Sequence, residues 1–368
     1  MAQGVAAPKA GWKTIDVDAL HEFVQAALQR CDVSAEDAAL VADVLTASDL
    51  RGVESHGVAR LEGFYVDNIR SGMIDPRAQP SVVRETPTSV ALDANNGLGH
   101  PAGVKAMKRT IEKARESGLC LTTVRNSNHY GMAAYYSMMA LEHGMIGISC
   151  TNSMRWAAPT FGKTAMNGTS PISVAVPAGT QEPFVLDMAT TTVALGKIEI
   201  AKRKGEPLKP GWAIDADGNP TTDPDAATGG SILPLGGFGT ENGGHKGFGL
   251  GVLVDILCGV LAGGHFGSQH PAKTAWREPR DVGHFFGALR VDRFRDLDAF
   301  RQELDRELLR FKQSQPIEGE SRVYVAGEPE FEKARRHKRL GVTLDPVVCA
   351  SLENVATKLE ISQPRWTS

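Results

Sequence analysis

Between residues 88 and 204 the chain keeps changing its hydrophobic period. Short apolar runs, SVALDA from Ser89, LCLTTV from Leu119, MIGISCT from Met145, ISVAVP from Ile172 and FVLDMA from Phe184, alternate with stretches such as VKAMKRTIEKARES and AAYYSMMALEHG. A helical TTTVALGKIEIAKRKG follows the last of them. Runs this short bury both faces only when helices cover them, so the alternation predicts an α/β layer structure around a largely buried sheet.

The flanks read differently. Residues 14 to 51 carry two amphipathic helices; the second opens on a capping box, Ser34 to Asp37, and sets Leu40, Val41, Val44 and Leu45 along one face. Gly52 ends it, and a further helix from about Arg60 to Ser71 stops at Gly72. Phe248 to Leu261 is apolar nearly all round apart from Asp255, which predicts a core helix too short to span a bilayer. After the strand-like HFFGALRV come the amphipathic LDAFRQELDRELLRF and a helical tail. Helical ends around an α/β middle predict one lobe built from both termini, residues 1–85 with 296–368 packing on them, and a central α/β domain over 86–295.

A chain of 368 residues exceeds one ordinary core, so two or three lobes and a buried cleft are expected. Its 40 basic residues are spread without a stripe and the net charge is −3, so nothing calls for a nucleic-acid partner. The dense run Arg335 to Arg339 reads as a solvated helix face. Five scattered cysteines without a CxxC pair point to a reducing compartment and away from a zinc site. The opening MAQGVAAPKAGWK lacks a signal-peptide core, and no window approaches the ~18 uncharged apolar residues of a membrane span. A cytoplasmic enzyme with no metal and no membrane partner is the expectation.

Candidate chemistry falls in five places, the third of them a pair of strand ends. Gly97 to Ala102 matches GxGxxA between a strand and a helix, but the next strand ends in Arg125-Asn126 without the acid that would hold a ribose. Pro101 also removes an N–H, so a glycine-rich turn is the better reading. Asn126 to Gly131, NSNHYG, leaves a strand end for a helix N-terminus, a place that offers N–H groups to an anion and sets His129 as contact or base. Gly168-Thr169-Ser170-Pro171 and Asp187-Met188-Ala189-Thr190 stand at strand ends, where Asp187 suits either a ribose or a helix cap. In Gly243 to Gly249, GGHKGFG, the glycines admit close backbone approach and His245-Lys246 can meet phosphate, without the order of a P-loop.

The fifth is Glu54 to Arg60, ESHGVAR, after a helix end. Adjacent residues rarely point the same way, so Ser55 is poorly placed as a nucleophile activated by His56. A histidine whose ordinary pKa lies near neutrality, oriented by a hydroxyl, suits general acid–base work, and Arg60 four residues on suits a bidentate grip on a carboxylate.

Taken together, ESHGVAR, NSNHYG with AYYSMMALEHGMIGIS, the GTSP and VLDMATT pair, DADGNPTTDP and GGHKGFGLGVLVDILCGVLAGGHFG resemble the malate/L-lactate dehydrogenase-like oxidoreductases, the type-2 or sulfolactate-dehydrogenase-like group. The similarity runs from about residue 14 to 345. It implies a non-Rossmann α/β fold of sulfolactate/malate dehydrogenase type, with the cofactor and substrate in the central domain. It also implies NAD- or NADP-dependent hydride transfer at C2 of a small 2-hydroxy or 2-oxo acid such as malate, lactate or sulfolactate. By resemblance His56 is the proton donor or acceptor, Ser55 its partner, Arg60 the carboxylate clamp and Thr169 a substrate contact. His129, Tyr130, Gly131, Met132, Ala133, Asp187, Met188, Ala189, His245, Lys246, Gly327, Glu328 and Pro329 border the cofactor. In ureidoglycolate-type members the residue matching His129 is the proton acceptor. Some members instead reduce cyclic imino acids of the Δ1-piperideine-2-carboxylate type, and they carry an acidic relay residue where Lys197 stands here. The usual GTNP is GTSP, with Ser170 for an amide. The family's sites are commonly completed by a second subunit, which implies a homodimer.

Overall fold

The computed structural model describes residues 11–271 and 280–367; the first ten residues of the stretch read above for a signal peptide lie outside them. Two compact units result, one from the chain up to Arg77 together with everything from Pro329, the other from Ala78 to Glu328.

In the first unit, Asp16 caps the helix Val17–Gln29 by accepting the Asp18 and Ala19 N–H groups at 2.9 and 3.2 Å, and Ser34 caps Ala35–Leu50 by accepting that of Asp37 at 3.1 Å. The two helices pack on each other, and Leu20, Val24, Val41 and Leu45 on them are fully buried. Lys13–Ile15 is the middle strand of a three-stranded sheet whose outer strands, Val342–Leu344 and Trp366–Thr367, come from the far end of the sequence. The single helix expected from Arg60 is instead a 3₁₀ turn, Val58–Arg60, a π-helical segment, Leu61–Val66, and one α turn, Asp67–Arg70. The wider π turn accompanies burial of Leu61, Tyr65 and Val66 while Glu62 is gripped by Ser351, Asn354 and Lys358 of the helix Pro346–Leu359.

The second unit holds a seven-stranded mixed sheet. Its order is Ser81–Thr86, Ser89–Asp93, Leu119–Ser127, Val282–Arg290, Met145–Thr151, Ile172–Val176, Phe184–Met188. Among the described strands of this sheet only Ser89–Asp93 and Leu119–Ser127 pair in parallel, joined by the helix Gly99–Ser117; Val282–Arg290 inserts antiparallel to both neighbours. The edge strand Ser81–Thr86 is exposed throughout and shows no apolar alternation to read. A satellite layer, built on Ala213–Ile214, Pro220–Thr221 and Ser231–Ile232, packs Ile198, Ala201, Leu208 and Ala227 into its own core.

Two expectations are corrected. The lobe boundaries at 85/86 and 295/296 fall at 77/78 and 328/329, because Leu297–Lys312 is anchored in the second unit: the Asp305 carboxylate accepts the backbone N–H groups of Gly179, Thr180 and Gln181. The apolar stretch Phe248 to Leu261 forms the helix Gly244–Asp255 and a π turn, Ile256–Val260, but only one side is buried. Val254 and Cys258 are fully covered, whereas Leu253, Ile256, Val260 and Leu261 are 46–61% exposed. No helix among the described residues is long and apolar enough to cross a membrane, and all five cysteines are buried and unpaired.

Candidate active site

ESHGVAR occupies two consecutive 3₁₀ turns, Glu54–His56 and Val58–Arg60. This tight winding overrides the usual divergence of neighbours: Ser55 Oγ lies 2.9 Å from His56 Nδ1, and Arg60 Nε donates to the Ser55 carbonyl at 2.8 Å. The Arg60 guanidinium carbon lies over the Phe64 ring, 4.7 Å from its centroid. Loss of hydration, and then the Arg60 charge, press the His56 pKa down to about 4, so the imidazole is neutral at pH 7. Beneath the turn lies Asp49, 1% exposed, whose carboxylate accepts the Val58 N–H at 2.7 Å. Sequence reasoning passes over it; the available signal was a carboxylate in the last turn of a helix, where the dipole disfavours it.

In the second unit the loop after Leu119–Ser127 carries His129, whose Nδ1 lies 3.4 Å from the Gly131 N–H. Gly99 explains the glycine-rich turn: a Cβ there would stand 2.1 Å from the Asn128 carbonyl oxygen and 2.6 Å from that of His129. The glycine admits the helix Gly99–Ser117 against the loop backbone, and the Asn128 side-chain amide donates to the Gly97 carbonyl at 2.9 Å. Beyond the loop, Asp187 accepts the Ala134 N–H at 2.8 Å, so one carboxylate oxygen serves the start of the helix Ala133–Met138.

Tyr130 is a core residue. Its ring is fully buried and stacked against Tyr136 and His284, with centroids 4.6 and 4.5 Å away, and its hydroxyl meets Ser149 Oγ at 3.0 Å. Any ligand contact at Tyr130 therefore runs through its backbone. His284, also unmarked in the sequence, bridges Thr151 and Ser127 at 2.8 Å on each ring nitrogen, and burial drives its pKa to about 3.

The remaining candidates of this unit are linked stepwise to the strand that carries Asp187 and to the segment after it. Gly327, at φ +92°, would bring a Cβ within 2.9 Å of Val185, and the Ala326 carbonyl takes the Val185 N–H, so Gly327-Glu328 run beside the strand that ends in Asp187-Met188. Glu328 is buried and ion-paired to Lys312 at 3.0 Å, which commits its side chain inward. The Thr169 carbonyl accepts the Thr190 N–H at 2.9 Å next to Ala189, and the Thr190 carbonyl takes the N–H of Leu235. Gly247 in turn lies against Leu235, where a Cβ would meet its carbonyl at 2.2 Å, so His245 and Lys246 stand exposed at the start of Gly244–Asp255. Pro329 begins the first unit's share of the helix Glu328–Leu340. Ser170 is buried at φ +36° with no hydrogen-bond partner for its hydroxyl among the described residues, and Lys197 is exposed. No cluster of three or more His, Cys, Asp or Glu side chains fit for a metal ion occurs among the described residues.

The family model for malate/L-lactate dehydrogenase matches residues 15–353, a span that holds every candidate above. The chain belongs to the malate/L-lactate dehydrogenase family. This family member is 43% identical over 348 residues to the malate dehydrogenase of Pyrococcus abyssi, which covers 94% of this chain and 95% of the relative. It is 35% identical over 335 residues to the malate/(S)-sulfolactate dehydrogenase of Methanothermus fervidus, covering 91% and 94%. Its fold matches the structure of malate dehydrogenase from Pyrococcus horikoshii with a TM-score of 0.89 at 39% identity, over 98% of this chain and 99% of that one. As a malate/L-lactate dehydrogenase family chain it is an enzyme, an oxidoreductase.

Proposed function

We propose that the protein interconverts a small 2-hydroxy acid and its 2-oxo acid, of malate, lactate or sulfolactate type, with NAD or NADP. The observation that carries this reading is the Ser55–His56–Arg60 turn, where a neutral imidazole and a fixed guanidinium share one short segment. When bound, nicotinamide supplies or removes the hydride at C2. His56 takes the hydroxyl proton as the acid is oxidised and returns it to the carbonyl oxygen on reduction, while Ser55 holds its ring. Arg60 pairs with the carboxylate through a planar fork. That pairing also offsets the guanidinium charge facing His56 and raises the basicity of the imidazole as substrate arrives.

The second unit's residues fit a dinucleotide. Gly131 and Gly327 adopt positive φ at the loop edges, and the start of Gly244–Asp255 carries Lys246 and His245 in the open, a donor set matched to phosphate. The backbone of His129 to Ala133, Asp187 to Ala189, and Gly327-Glu328 would border the rest of the cofactor, and Thr169 the substrate. The exposed face of Leu253, Ile256, Val260 and Leu261 favours a homodimer, and the unpaired cysteines favour the cytoplasm. Light scattering reads the first of these directly.

The test is a panel of oxaloacetate, pyruvate, sulfopyruvate, α-ketoglutarate and Δ1-piperideine-2-carboxylate, each with NADH and NADPH, followed by nicotinamide absorbance. At least one 2-oxo acid turns over, and His56→Ala abolishes that turnover with cofactor binding retained. Turnover of the cyclic imine alone, or an active His56→Ala enzyme, overturns the assignment, the latter in favour of His129.

A further inference from the structure

The carboxyl under the ESHGVAR turn is costly. Asp49 sits 1% exposed in the last turn of Ala35–Leu50, where the carbonyl end of the helix repels a negative charge. Burial, with help from the Glu54 charge and against the pull of the Val58 N–H, moves its pKa up to about 8. Packing alone would be met by a leucine. What the carboxyl does instead is visible in its contacts. Its Oδ2 takes the Val58 N–H at 2.7 Å, the one backbone donor midway between His56 and Arg60. Its whole head lies flat on Gly57: a Cβ on that glycine would stand 2.1, 2.2 and 2.3 Å from Oδ1, Cγ and Oδ2. From the other side, His337 Nδ1 donates to the Leu50 carbonyl at 2.9 Å and lies 3.2 Å from that of Asp49, while the Gly52 N–H donates to the Asp49 carbonyl at 2.9 Å. Asp49 is therefore fixed at its backbone and reaches across nine residues to fix the turn.

We propose that Asp49 is the positioning residue of the proton-exchange pair: clamped on Gly57 and the Val58 N–H, its carboxyl sets where the His56 ring and the Arg60 fork stand relative to each other. The inference rests on the reading of His56 and Arg60 given above. Gly57 is its counterpart, since only a residue without a side chain admits the carboxyl.

Four variants test it: Asp49→Asn, Asp49→Ala, Gly57→Ala and the double Asp49→Ala/Gly57→Ala. Each is measured for kcat and KM with the best 2-oxo acid of the panel and for NADH and NADPH binding by fluorescence. Asparagine keeps an oxygen for the Val58 N–H and should recover kcat to within about threefold of the parent, whereas alanine should lower it about 10- to 100-fold through misplacement of the pair. KM for the acid rises with it as Arg60 moves, and cofactor affinity stays put. Gly57→Ala should match Asp49→Ala, and the double variant should be no worse than either, because the vacated carboxyl leaves room for the methyl group.

Parent-like kcat and KM in Asp49→Ala overturn the proposal, as does an asparagine variant as impaired as alanine, or additive losses in the double. If Asp49→Ala does not fold, parent-like kinetics in Gly57→Ala do the same. His56→Ala runs beside them: full activity there removes the underlying reading and this inference with it. An inactive His56→Ala with an unaffected Asp49→Ala removes the Asp49 role alone.

Discussion

Ser55 serves two side chains at once, its hydroxyl meeting the His56 ring and its carbonyl the Arg60 Nε. Both contacts depend on the shape of what they meet. Arg60→Lys keeps the charge but loses the Nε bond and the guanidinium's place over Phe64, so a point cation replaces a planar fork. KM for the acid should rise about 10- to 100-fold while kcat moves much less. Steady-state kinetics check this, and an unchanged KM would place the carboxylate elsewhere. Spacing alone brings Ser55, His56 and Arg60 together on the page, because all three lie within one short segment. It does not reveal Asp49 beneath them, nor that the Tyr130 ring faces the core, since stacking on His284 joins distant parts of the chain.

At the scale of elements, Gly99 shows why a motif needs its context. GxGxxA followed by Arg125-Asn126 reads as a turn rather than a phosphate grip, and the geometry supplies the turn's purpose, a close approach of helix and loop. Gly99→Ala forces a methyl group onto the Asn128 and His129 carbonyls. Overpacking of this kind costs about 1 to 3 kcal/mol, so the urea midpoint should fall. Turnover should fall further than stability explains, because the displaced loop carries His129; an unaltered midpoint would mean the loop yields freely. Strands buried on both faces and amphipathic helices declare themselves through their period, as Met145–Thr151 and Leu297–Lys312 do. The exposed strand Ser81–Thr86 and the 3₁₀ and π turns through Glu54–Val66 leave no such trace, since solvent and long-range contacts set them.

Over the whole molecule, desolvated titratable groups set the response to acid. His56 and His270 are held at about 4 and His100 and His284 at about 3, in each case chiefly by burial, against an ordinary 6.5. Between those values and 6.5 the unfolded chain binds protons that the native chain refuses, so stability rises with pH across that window. Asp49, raised from 3.8 to about 8, and Asp255, raised to about 6, act with the opposite sign, because there the native chain holds the extra proton. From pH 4 to 6 four histidines outweigh two carboxyls, a slope near two protons or about 3 kcal/mol per pH unit. Above about pH 7 the Asp49 proton outweighs what the unfolded histidines still bind, and stability declines slowly. Urea midpoints measured from pH 4 to 8 should peak near pH 7; a flat acid limb would mean that these histidines take up protons without unfolding.

The small sheet of the first unit has a consequence for the order in which a nascent chain matures. Its middle strand, Lys13–Ile15, emerges from the ribosome early, yet both partners, Val342–Leu344 and Trp366–Thr367, emerge late. Ala78 to Glu328 is continuous and can fold while synthesis is still under way. Glu62, just past the turn bearing His56, meets its partners Ser351, Asn354 and Lys358 only once the late helix Pro346–Leu359 has been made.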